Sequence, residues 1–169
     1  MSSDPLDDYV ETILETELSS FEVSWLAYSH TLSPGPLPIQ RIAHAVGLAH
    51  LGPAHLSIHP THGPWIALRA VCVLSSKYRE DLWPVFPLSQ REPCSGCAAP
   101  CTIALKNAQT KVEVEPNEAE PSDTELSVAA RRWLRVRDVC PLGKESRYTA
   151  QQIRYHYDKD PGALHSEHD

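Results

Sequence analysis

The chain has 169 residues, enough for one domain with a real core and cramped for two. Its 15 Lys and Arg stand against 22 Asp and Glu, a formal charge of −7. That balance argues against the clustered positive face of a nucleic-acid binder. No apolar run approaches the roughly 20 residues of a bilayer span. The start MSSDPLDDYVETILETE lacks a signal peptide's basic opening and apolar stretch. The expectation is a cytoplasmic protein whose five cysteines are thiols or ligands rather than disulfides.

From the N-terminus, Leu6, Val10, Ile13, Leu14 and Leu18 recur at helical spacing behind an Asp4-Pro5 start signal. FEVSWLAYS then alternates, which predicts a half-buried strand with Phe21, Val23, Trp25 and Ala27 on one side. HTLSPGPLP is loop. Ile39, Ile42, Ala43, Val46 and Ala49 predict a helix over 38–51, ended by Gly52. HLSIHP reads as a short strand over 55–59, THGP as a turn, and WIALRAVCVLS as a second strand over 65–74, together a β-hairpin. From Asp81 the chain is proline-rich and loop-like until CTIALKNA, which makes a short helix. The acidic, proline-containing segment at about 111–124 reads as an exposed loop. ELSVAARRWLRV is a helix opened by Thr124 or Asp123, and YTAQQIRYHYDKD another opened by Thr149. The whole is expected to be one α+β domain over 1–169, an antiparallel sheet with flanking helices.

The segment 91–141 is rich in cysteine. Cys94, Cys97 and Cys101 form C-x2-C-x3-C, and Cys140 is separated from Cys101 by 38 intervening residues. Four thiols are the ligand set of a tetrahedral zinc or of a [4Fe–4S] cluster. A ferredoxin-like segment would carry a further cysteine where Arg91 stands and a proline where Thr102 stands. The expectation is one iron–sulfur cluster, with zinc or a remnant of free thiols as alternatives. Cys72, inside VCVL, reads as a small buried hydrophobe.

IHPTHGPWIALRAVCVL, preceded by RIAHAVGLAHLG, resembles the I-H-P-x-x-G-x-W-x-x-x-R strand of cobalamin-processing proteins of the cobalamin C (CblC) type. RYTAQQIRYHYDKDP is similar to their R-Y-S-x-E-Q-x-x-Y segment. The wider group includes epoxyqueuosine reductases and reductive dehalogenases, which add ferredoxin-like cysteines. The resemblance implies a nitroreductase-like fold, short at the N-terminus. It also implies a corrinoid-binding reductase or chaperone that removes or reduces the upper-ligand side of cobalamin, with FMN or glutathione as reductant. The alternative is a small iron–sulfur or zinc protein that passes electrons or corrinoid to another protein, without catalysis of its own. Where epoxyqueuosine reductases place their acid and a later glutamate, this chain has Ser33 and Ile39, which removes the general acid that chemistry needs.

The resemblance assigns Arg69 to an anionic co-substrate, which a guanidinium fork can hold bidentately; pairing with Glu80 or Asp81 is the structural alternative. Trp65 offers a flat face to a macrocycle or flavin, or packs in the core. His59 is a candidate cobalt ligand, and Arg147 and Tyr148 are expected either to close the pocket or to stabilise the last helix. The short N-terminus suggests a second copy or a partner protein completing the pocket.

Overall fold

The computed structural model describes residues 4–30, 35–75, 92–112 and 126–165. Helix α1 spans Pro5–Leu18, opened as expected by Asp4, whose carboxylate accepts from the N–H groups of Leu6 and Asp7. Strand β1, Val23–Tyr28, pairs antiparallel with β4, Ala70–Leu74, setting Trp25 opposite Val73 and Tyr28 opposite Ala70. A register irregularity between Val23 and Trp25 breaks the expected alternation. On the face predicted to be half-buried, Val23 and Ala27 are half-buried as expected, whereas Phe21 and Trp25 are 51% and 45% exposed. A sheet of two strands has no inner strand to enforce a buried face.

Helix α2 runs over Ile39–Ala45, six residues short of the expected end. Gly47, not Gly52, stops it: its φ of 77° is left-handed, and Leu48 and Ala49 close the turn onto the Ala43 carbonyl. The residues released form β2, His50–Leu51, which pairs with β3, Ser57–Ile58. The predicted hairpin of 55–59 with 65–74 is therefore corrected. His59 and Gly63 exchange backbone hydrogen bonds at 2.8 and 2.9 Å, closing a loop too tight to continue as a ladder. Pro64 then has no N–H to donate, and the chain runs on to pair with β1 instead.

Helix α3, Pro100–Gln109, packs on α4, Val128–Asp138. Ala104 and Ala108, four apart, let the helices approach, and join Ala54 and Val136 in one apolar cluster. The other face of α4 buries Ala130 and Leu134 against Trp65, Leu126 and Ile153. Ser127 caps α4, accepting from the N–H of Ala130. The expected caps Thr124 and Asp123 lie outside the described residues. So do most of the acidic segment and Glu80 and Asp81. Helix α5, Ala150–Ile153, opens on a Thr149–Gln152 capping box as the sequence indicates, then widens into a π-helical turn over Arg154–Asp158. The architecture is α+β, helices with two small antiparallel sheets. Among the described residues no helix is long and apolar enough to cross a membrane.

Candidate functional site

Between the β2–β3 hairpin, the extended run after Pro64, and the C-terminal helices lies a cavity of about 480 Å³. That size falls within the range of small-molecule sites. Its charged and aromatic wall is Arg69, Arg137, Tyr148, His156 and Tyr157. Arg69 arrives at the end of the extended stretch before β4. Arg137 comes from the last turn of α4, and the π-helical turn delivers His156 and Tyr157. A π-turn adds a residue to the helical circuit and re-aims the side chains that follow, a device common at functional sites.

The two cations are held differently. Arg69 donates from Nη1 to Asp7 Oδ1 at 3.2 Å, so the described partner of this arginine is on α1. Arg137 has no carboxylate partner among the described residues. Its guanidinium lies 5.6 Å from the centre of the Tyr148 ring and 5.9 Å from that of Trp65. A partly buried cation without a counter-ion in a cavity wall is a ready receptor for a carboxylate or phosphate. His156 stands in the same field. Burial, then the charges of Arg69, Lys159 and Arg137, push its imidazole down to about 4. It is a neutral ring at pH 7, with a lone pair available to a proton or a metal. Burial likewise raises the Tyr157 phenol.

Of the residues expected to bind a cofactor, Arg69 and Tyr148 stand on the cavity wall and three do not. Trp65 is 5% exposed and belongs to the core, edge-on to Tyr148 at 5.4 Å. Arg147 is spent on buried Asp138, through Nε–Oδ1 at 2.8 Å and Nη2–Oδ2 at 3.3 Å. His59 Nδ1 accepts from the N–H groups of Thr61 and His62, so its ring builds the turn. Burial and then His62 lower its pKa. Arg137 and His156 escaped the sequence reading. RVRD looks like the tail of a charged helix, and no periodicity announces a π-turn.

The cysteines do converge. Cys94, Cys97, Cys101 and Cys140 line one small void together with Gly52, Leu56 and Ile58. Gly96, at φ 75°, and Ala99, at the left-handed φ of 49°, bend the C-x2-C-x3 loop back toward the start of α3. The Ala99 N–H donates to Cys97 Sγ at 3.4 Å. Burial first, and then the neighbouring thiols, raise the pKa of Cys94; burial also raises that of Cys101. A cation beside them would offset that cost and favour the ionised form of both. Among the described residues no group of three or more His, Cys, Asp or Glu side chains is placed to hold a metal ion. Cys72, half-buried in β4, lines neither cavity. Leu56, in the β2–β3 hairpin, lines both the thiol void and the larger cavity.

No family model, curated protein or solved structure matches this chain.

Proposed function

We propose that the chain is a nitroreductase-like, corrinoid-handling domain that reduces or removes the upper-ligand side of cobalamin. The observation that carries this reading is the 480 Å³ cavity, where Arg69, Arg137, Tyr148 and a neutral His156 face one space. Arg69 and Arg137 would hold the carboxylates of a thiol such as glutathione, or the phosphate of FMN. A whole corrinoid exceeds a cavity of this size, so the described walls fit its reacting side and the co-substrate rather than the entire macrocycle. A bound anion would screen the two guanidiniums and raise the pKa of His156, coupling anion binding to proton uptake on the imidazole.

The four cysteines match a metal centre in number, and their lining of one void supports the reading. We assign them to one [4Fe–4S] cluster, with zinc the alternative at the same ligands. A cluster there would supply electrons one at a time, and Leu56 lines both its void and the cavity. A second reading, an electron-transfer or partner protein without its own catalysis, draws support from Trp65, His59 and Arg147 being occupied by the fold.

The test is anaerobic titration of cob(II)alamin and hydroxocobalamin into excess protein, following the visible spectrum for the base-off shift. Arg137→Gln should weaken any effect of added glutathione at least tenfold. Absence of a shift leaves the partner reading. Iron and sulfide analysis of anaerobically prepared protein, against Cys97→Ser, separates a cluster from zinc.

A further inference from the structure

Helix α1 keeps its apolar stripe, Leu6, Val10, Leu14 and Leu18, only half-buried. The one buried residue over Pro5–Leu18 is Asp7, while Ile13 and Tyr9 are 41% and 63% exposed. A surface helix ordinarily hides an apolar stripe. The described hydrogen bonds and ion pairs of α1 add polar attachments beside that half-buried stripe. The Tyr155 hydroxyl donates to Asp4, Arg69 donates to Asp7, and His30 reaches Glu11 at 2.8 Å and Asp7 at 3.6 Å. Two of these anchor points belong to the cavity or its rim. Arg69 is on the wall, and Tyr155 stacks edge-on against His156 at 5.3 Å.

From this placement we propose that α1 is a displaceable strap: its Asp7 carboxylate holds Arg69 until an anionic ligand takes the guanidinium over. The proposal rests on the reading of the cavity as an anion site. Among the described residues Arg69 donates a single side-chain hydrogen bond, to Asp7 through Nη1. A ligand carboxylate or phosphate that engages the fork through two nitrogens has the stronger geometry. The contest is between two anions for one cation, so it needs no change in the core. Releasing Asp7 from Arg69 removes one polar attachment of α1, whose apolar stripe is only half-buried. Linkage makes the effect reciprocal: whatever loosens α1 tightens anion binding, and anion binding loosens α1.

The experiment uses the full chain, with inorganic phosphate and, separately, glutathione as probes in calorimetric titrations. Wild type, Asp7→Asn and Arg137→Gln are compared. Asp7→Asn should bind the probes roughly tenfold more tightly, inside the usual range of coupling between sites. Amide hydrogen exchange over residues 5–18 of the wild-type protein should accelerate when either probe is added. Equal affinity in wild type and Asp7→Asn overturns the strap and leaves the anion site standing. Failure of wild type and both variants to bind either probe overturns both. Should Asp7→Asn not fold, the exchange measurement on wild type decides, and unchanged exchange at saturating probe rejects the strap.

Discussion

Replacing Arg147 by methionine keeps the length of the side chain and removes its charge. In the native protein this guanidinium makes two hydrogen bonds to Asp138, with the side chains 13% and 8% exposed. Its carbon also sits 5.7 Å from the centre of the Trp65 ring. Removing one partner of a buried pair leaves an uncompensated charge, which typically costs about 3–5 kcal/mol. Asp138 closes α4, where the partial negative charge of the helix end opposes a lone carboxylate. Against that, the Lys144 ammonium already bonds the Asp138 carbonyl and remains close by. The low end of the range, about 3 kcal/mol, is therefore expected. For a chain of this length that lowers Tm by about 6–12 °C. Urea unfolding followed by circular dichroism measures it, with the double variant Asp138→Asn/Arg147→Met recovering at least half the loss. A loss below about 1 kcal/mol at unchanged m value would refute the reasoning. It would return Arg147 to the ligand-binding role that its sequence context suggests.

Stability should also depend on pH through His156. Its imidazole is pushed down to about 4 from 6.5, so between those values the unfolded chain binds more protons than the folded one. Stability is then full above about 6.5 and lost as pH falls toward 4; His156→Phe should flatten that slope in urea titrations. A methyl group at Gly63 would lie 2.2 Å from the Leu142 carbonyl oxygen, and one at Gly143 2.1 Å from the His62 carbonyl carbon. Both glycines have positive φ, so alanine at either should cost more than about 2 kcal/mol, read from the urea midpoint. Ser127→Ala removes the cap of α4 and the 2.5 Å contact to Asp158, and should cost about 1–2 kcal/mol. Cys97→Ser should abolish the sulfide found in anaerobically prepared protein if the four thiols hold a cluster.

Local chemistry was legible in the sequence wherever one residue decides it. Asp4 caps α1, Thr149 opens α5 with its capping box, and CTIALKNA forms α3, because capping and helical spacing are properties of a few neighbouring residues. The C-x2-C-x3-C spacing likewise announced sulfurs able to converge, and the fold brings Cys140 to them. Strand pairing was not local. The stretch 65–74 reads as strand in the sequence, yet only Ala70–Leu74 forms one, and its pairing with β1 rather than 55–59 depends on Pro60, Pro64 and the tight His59–Gly63 loop acting together with a partner more than 40 residues away. Side-chain allegiance was decided later still. Arg69, Arg137 and Arg147 are chemically identical, yet one is shared with Asp7, one is stacked on aromatic rings and one is locked to Asp138. The same holds for His156, whose neutrality at pH 7 comes from burial and from charges on distant parts of the chain. Composition and spacing set which groups the protein owns. Only the three-dimensional packing, through desolvation and competition among partners, decided which of them remain available to a ligand.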